Sequence, residues 1–164
     1  MILRKAEDKD LARVVEIYNS SIAWRQSTAD TSPVTVESKK DWFHSRPATR
    51  PLLVHEQEGL IYGWASIEDF SDRPAYKYTV ELSVYIDHDH LGTGIGTVIL
   101  SEVVALLPAL GVRNAIAKIF SHNDASLKLF ANFGFKLWGE LPEVCVMDGQ
   151  ASSVSILGLK VDLD

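Results

Sequence analysis

The chain holds one cysteine, Cys145, so no internal disulfide braces it and its stability has to come from a packed core. That thiol lies in the strand-like stretch V-C-V-M and reads as a buried structural cysteine. No Cys/His cluster has metal-ligand spacing, so no metal is expected. Long apolar runs are missing as well. None approaches the roughly 18 residues that span a bilayer, and the opening M-I-L-R-K-A-E-D-K-D lacks the apolar centre of a signal peptide. A soluble, cytoplasmic protein without a membrane partner is expected. Positive charge is in deficit, with 16 Lys and Arg against 22 Asp and Glu and a net charge of −6. That balance disfavours nucleic acid and anionic lipid as partners and suits a small cationic or zwitterionic ligand.

What is present is enough chain for a real core. The 164 residues, 46% of them hydrophobic, are expected to form one domain, 1–164. Residues 2–5 read as an opening strand. Asp8 or Asp10 is expected to cap a helix that lines up Leu11, Val14, Val15, Tyr18 and Ile22 on one face. A polar loop, 27–33, leads to a short helix over 36–45 with Thr35 as its cap and Trp42 and Phe43 turned inward. Residues 51–56 and 60–69 flank a turn at Glu58-Gly59 and predict a hairpin, and 78–86 predicts the next strand. Pro108 is expected to end the following helix near Leu107. A strand at 112–120, a helix at 124–132 and strands at 137–147 and 153–161, joined at Asp148-Gly149, complete an α+β (mixed α/β) pattern.

Between the strand at 78–86 and the helix that starts at Thr97 the chain reads D-H-D-H-L-G-T-G-I-G-T. Gly92, Gly94 and Gly96 permit a sharp turn and keep side chains away from backbone N–H groups, while a helix starting there adds unpaired amides and a positive dipole end. Such a bend suits phosphate. It is neither a P-loop, since no Lys-Ser/Thr follows, nor the dinucleotide pattern G-x-G-x-x-G. Read alone, it is equally a plain glycine turn. His88 and His90 flank it and read as solvated loop histidines.

The rest of the chain decides. L-G-T-G-I-G resembles the pyrophosphate loop of the GNAT superfamily of acyl-CoA-dependent N-acetyltransferases, Gln/Arg-x-x-Gly-x-Gly/Ala, and N-D-A-S-L-K-L-F-A-N-F-G-F, with Asn123, Ser126, Leu129, Phe130, Gly134 and Phe135, resembles that superfamily's C-terminal motif. P-A-Y-K-Y-T-V-E-L-S-V-Y-I, G-F-K-L-W-G-E-L-P-E-V-C-V-M-D-G and the early Y-N-S-S-I are similar to the phosphinothricin and methionine sulfoximine N-acetyltransferase group. The resemblance implies the GNAT fold, a central twisted mixed sheet with splayed strands flanked by helices, and a homodimer. It also implies acetyl-CoA as co-substrate. The pantetheine arm is expected along the strand edge formed by Leu82, Ser83, Val84, Tyr85 and Ile86, and the pyrophosphate at Leu91, Gly92, Thr93, Gly94, Ile95, Gly96 and Thr97. Asn123 and Ser126 are expected beside the arm. Leu91 departs from the motif, since Gln or Arg usually stands there, and is expected to be a packing residue.

N-acetylation requires a neutral amine, because an ammonium has no lone pair, so a base is needed. Periodicity alone would send Glu81 to solvent or a salt bridge; the resemblance makes it the general base, with a pKa raised beside aromatic neighbours. Backbone N–H groups near residues 82–84 are the expected oxyanion donors. Phe130 stands where many family members have Tyr, so Tyr85, water or no residue protonates the departing thiolate; Tyr85 also reads as a core aromatic. Arg73 is expected either to grip an α-carboxylate or to be a plain turn arginine, and Thr28 to line the acceptor side of the site, with Trp24 either beside it or in the core. The leading reading is transfer of acetyl to the α-amino group of a small amino acid or analogue. Another amine acceptor (a polyamine, an antibiotic or a protein N-terminus) and a catalytically decayed CoA-binding module are the alternatives.

Overall fold

The computed structural model describes residues 2–163. Seven strands form one mixed sheet in the order β1-β2-β3-β4-β5-β7-β6. They are β1 Ile2–Lys5, β2 Leu52–Gln57, β3 Leu60–Asp69, β4 Thr79–Ile86, β5 Asn114–Phe120, β6 Lys136–Met147 and β7 Gln150–Lys160. Four α-helices accompany them: α1 Leu11–Ile22, α2 Val36–His44, α3 Ile95–Leu106 and α4 Asp124–Ala131. The hairpin turns fall where the sequence places them, because Glu58 and Gly59, and likewise Asp148 and Gly149, adopt the paired positive φ angles of a tight two-residue turn. α3 stops at Leu106, two residues before Pro108.

Strand parity divides the core. One face of the sheet packs Val80, Leu82, Ala115 and Ala117 against Ile99, Leu100, Val103 and Leu107 of the third helix and its end. Those four helix-side residues have no exposure at all, and each such burial is worth roughly 1.5–3 kcal/mol, which makes α3 a rigid platform. The other face carries Leu52, Val54 and Trp64 against Val14 and Ile17 of α1, with Trp42 and Phe43 of α2 packed at the edge. Thr35 caps α2, its hydroxyl accepting from the Ser38 N–H at 3.1 Å.

One expected cap is absent. Asp10 does not hydrogen-bond into the first turn of α1. Its carboxylate turns back to Arg4 at 2.7 Å and to the Glu7 N–H at 2.7 Å, and Arg4 also bonds Glu56. A buried carboxylate that already holds a charge-assisted bidentate partner gains more there than from one amide. Burial pushes the Asp10 carboxyl up, but its bonds to Arg4 and Glu7 outweigh that and hold it below the usual range.

Candidate active site

The sheet opens at its centre. β4 and β5 pair in parallel only from Thr79↔Asn114 to Glu81↔Ile116. Beyond that point β4 stays with β3 as far as Ile86↔Gly63, and β5 stays with β7 as far as Phe120↔Val154. Each strand is held by its outer neighbour, so the pair diverges and leaves the inner edge of residues 82–86 without a partner strand. A groove of about 410 Å³ fills the gap, with Glu81 at its closed end, and a hollow of about 460 Å³ between Ile86, Gly92 and α4 continues it.

The far end of the groove is the glycine bend. Gly92 and Gly94 adopt φ of +73° and +86°, and a Cβ built on either would meet nothing within 4 Å. These glycines answer a backbone requirement and leave open space. Gly96 differs: its Cβ would press on Leu129 at 3.2 Å. Between Leu91, whose N–H reaches His88, and Val98, whose N–H reaches Gly94, none of the amides of residues 92–97 has a backbone partner. These free donors at the positive end of α3 fit a phosphorylated ligand. Arg13 of α1 anchors the bend from behind through Asp87, which also accepts from the Asp89 N–H. Burial raises the Asp87 carboxyl, but Arg13 prevails and holds it below its usual range.

Register puts Glu81, Ser83 and Tyr85 on one face with Ile116, Lys118 and Phe120. The setting of Glu81 differs from the aromatic one that the sequence suggests. Lys118 Nζ stands 3.5 Å from Glu81 Oε2, and the nearby Phe70 ring faces Lys118 at 5.9 Å. Tyr85 packs on Trp64 and Tyr18 at centroid separations of 4.8 and 5.0 Å, yet it also lines the groove, and its hydroxyl donates to the Ser27 carbonyl at 3.3 Å. Burial pushes the Tyr85 phenol well up, so it stays protonated and a donor at neutral pH. Phe130 is buried beside it.

Residues 24–27 run across the mouth of the splay like a strap. Trp24 Nε1 donates to His88 Nε2 at 3.0 Å, Asn123 Nδ2 donates to the Gln26 carbonyl at 2.9 Å, and Arg25 bonds Asp148 at 2.8 Å. Asn123 also caps α4, accepting from the Ser126 N–H at 3.1 Å. Its amide is therefore spent within the protein, while Ser126 lines the groove. Thr28 is buried, its hydroxyl 2.6 Å from Tyr18, whose phenol also donates to Asp30. Burial first, then the bond to Asp30, raises the Tyr18 phenol to about 12.

Several residues stand elsewhere than the sequence suggests. Leu91 is half exposed rather than packed, because the positive φ of Gly92 turns the chain outward there. Trp24 lies on the surface against the His88 ring at 4.4 Å, and His90 lies against Tyr62 at 4.5 Å, so both histidines are half-buried, each tilted against an aromatic ring. Cys145 is half-buried and borders the groove. Arg73 is exposed at the start of a short turn, Pro74–Tyr76, and lines none of these hollows. Lys118, by contrast, carries no sequence signal, and only the β4–β5 register brings it to Glu81. Among the described residues no group of three or more His, Cys, Asp or Glu gathers to hold a metal, and no helix is long and apolar enough to cross a membrane.

A sequence model described as "Acetyltransferase (GNAT) domain" matches residues 1–136. The chain belongs to the GNAT acetyltransferase family. Within the family it is 48% identical over 159 residues to YwnH of Bacillus subtilis (strain 168), a protein named only provisionally as a phosphinothricin acetyltransferase; the match spans 96% of this chain and 98% of YwnH. It is 32% identical to the L-methionine sulfoximine/L-methionine sulfone acetyltransferase of Salmonella typhimurium, over 99% of this chain and 95% of that one. The crystal structure of a GNAT superfamily phosphinothricin acetyltransferase from Sinorhizobium meliloti in complex with acetyl-CoA superposes with a TM-score of 0.91 at 30% identity, covering 98% of this chain and 88% of that one. The splayed sheet is thus the family's fold, and this GNAT chain is an acetyltransferase.

Proposed function

We propose that this acetyltransferase moves acetyl from acetyl-CoA to the α-amino group of a small amino acid or analogue of the phosphinothricin and methionine sulfoximine type, with Glu81 as general base. The observation that carries the reading is the groove itself. An unpartnered strand edge runs from a carboxylate at one end to a row of free amides at the other. The free edge, residues 82–86, would pair with the pantetheine arm as an added strand. The amides of residues 92–97 would hold the pyrophosphate, with Leu91 and Ser126 at its flanks, and Asn123 would trade its bond to Gln26 for one to the arm.

Acetyl-CoA supplies the activated acyl group as a thioester. The chain's own residues do the rest. Glu81, with Lys118 Nζ 3.5 Å away, accepts the proton of the incoming amine directly or through water, which frees the lone pair for attack. Backbone N–H groups near residues 82–84 face the charge that develops on the acyl oxygen. From the β3–β4 connection, outside the groove lining, Arg73 would have to reach the substrate carboxylate with a guanidinium that has no ion-pair partner among the described residues, and Thr28 borders the acceptor side. Exposed apolar residues along β6, Trp138, Val144 and Val146 among them, favour a homodimer.

Thiol release from acetyl-CoA, measured against amino acids and analogues, polyamines, aminoglycosides and peptides, tests the assignment. Methionine sulfoximine, methionine sulfone and phosphinothricin are expected to lead the panel. Release with a polyamine or peptide alone overturns the acceptor class, and release with none of them overturns the activity.

A further inference from the structure

An amine of the chain itself stands beside Glu81. Glu81↔Ile116 is the last rung of the β4–β5 pairing, and Lys118 follows two residues further along β5, on the same face and past the point where the strands part. Its side chain reaches back towards that rung, with Nζ 3.5 Å from Glu81 Oε2 at the closed end of the groove. No other lysine among the described residues lines the groove. The pair is loose. Lys9–Glu7 and Lys40–Glu37 close to 2.9 and 2.6 Å, near the range of a charge-assisted hydrogen bond, whereas Lys118 and Glu81 stay further apart. The Phe70 ring, 5.9 Å from Nζ, adds only a weak hold. The ammonium is therefore free to turn from the carboxylate into the groove.

Lys118 thus meets two requirements of an acceptor, a base within reach and an open path to the free edge of β4. We propose that the enzyme acetylates its own Lys118 when no free amine fills the groove, and that the modification shuts the site. Glu81 takes one proton from the ammonium. The freed lone pair forms the N–C bond to the acyl carbon, the C–S bond breaks with its electron pair passing to sulfur, and the thiolate takes the second proton that nitrogen gives up. The products are Nε-acetyl-lysine, CoA as its thiol and one proton that Glu81 returns to water. Base and amine belong to one site, so the step is unimolecular in protein. Acetyl-lysine is uncharged, which removes the cation beside Glu81, and its acyl group occupies the closed end. The inference rests on the groove and base assigned under Proposed function and adds an internal substrate.

The test is intact-mass and peptide-level mass spectrometry of the full chain incubated with acetyl-CoA and no acceptor. One acetyl group should appear on Lys118, at a rate per molecule that does not change with protein concentration. Lys40 is the internal control. It too faces a carboxylate and its side chain is 50% exposed against 46% for Lys118, yet it lies outside the groove, so acetyl-CoA reacting unaided would mark the two alike. Saturating methionine sulfoximine should suppress the Lys118 adduct. Glu81→Gln should slow it by roughly a hundredfold or more, and Lys118→Arg, which keeps the cation without the amine, should carry none at that position. Thiol release with methionine sulfoximine should fall in step with the fraction acetylated. Absence of the adduct, equal marking of Lys40 or an undiminished rate in Glu81→Gln overturns the self-acetylation, and full turnover by the acetylated chain overturns the shut-off. The acceptor reading fails separately: a chain that marks Lys118 but releases thiol with no member of the acceptor panel keeps this inference and loses the acceptor class.

Discussion

Glu68 and Glu81 stand directly opposite each other in the β3–β4 register, yet different partners answer their charges. Glu68 accepts from Arg46 at 3.1 Å and from the Trp42 indole. Glu81 has Lys118 at 3.5 Å and otherwise faces the groove. Like charges across a strand pair are destabilising unless each is compensated. Here the compensation is unequal, and the less saturated carboxylate is the one that borders the open end of the sheet. That asymmetry supports Glu81 as the proposed proton acceptor.

Glu81→Gln should lower turnover by roughly a hundredfold or more, since the amide keeps the shape but takes no proton. The melting-temperature rise with CoA should be unchanged, because the carboxylate lies at the far end of the groove from the glycine bend. Glu68→Gln should cost stability more than rate. Full activity in Glu81→Gln across the pH range removes it from the chemistry.

Gly94→Val should abolish the stabilisation that CoA confers, which for a one-site ligand grows with the logarithm of its concentration and reaches about 2.7 kcal/mol at a hundred times Kd. The substitution also strains a residue at φ +86°, by roughly 1–2 kcal/mol. Gly111→Val separates the two effects, since Gly111 has φ +73°, equally open surroundings and no place in the cradle. Both variants should melt lower, and only Gly94→Val should lose the CoA response. An intact response in folded Gly94→Val moves the phosphate site elsewhere.

Much of this was legible because it is local. The Glu58-Gly59 and Asp148-Gly149 turns, the Thr35 cap and the glycine bend each depend on residues within a few positions. What escaped the sequence is set by register between distant strands. Lys118 reaches Glu81, and Ser66 meets Ser83, only after the sheet has assembled. Asp10 reads as a helix cap until Arg4, tied in turn to Glu56 on the neighbouring strand, claims it. Leu91 reads as packed until the left-handed turn at Gly92 exposes it. The exposure of Arg73 is of the same kind: its place in the chain is near the Glu81 strand, its place in space is outside the groove.

His55 should make the fold acid-sensitive. The ring is fully buried beneath α3, and among the described residues neither nitrogen has a hydrogen-bond partner. Burial lowers its pKa from 6.5, although Glu102 pulls the other way. A base whose pKa falls on folding leaves the unfolded chain holding more protons, so stability is complete above the unfolded value near 6.5 and is lost as pH drops from there towards the folded value. The slope should reach at most about 1.4 kcal/mol per pH unit. Denaturant midpoints from pH 7.5 to 5 should fall in the unaltered chain and fall less in His55→Leu. Parallel curves for the two proteins would show that other groups set the acid limit.

Arg73→Ala should raise the Michaelis constant for methionine sulfoximine far more than that for acetyl-CoA. The guanidinium is exposed and lacks an ion-pair partner among the described residues, so its contact with a carboxylate forms at the expense of water alone. That puts the effect near the low end for a charged hydrogen bond, about 1.5 kcal/mol or roughly tenfold. Substrate and residue should be coupled. The carboxamide of methionine sulfoximine should bind more weakly than the acid to the unaltered enzyme, and Arg73→Ala should weaken it little further. Lys118→Ala is the necessary comparison, because Lys118 is the cation nearest Glu81; its loss should lower turnover for acid and carboxamide alike. If Arg73→Ala affects the two substrates equally while Lys118→Ala discriminates between them, the carboxylate reader is Lys118, and the acceptor lies along β5 rather than towards the β3–β4 turn.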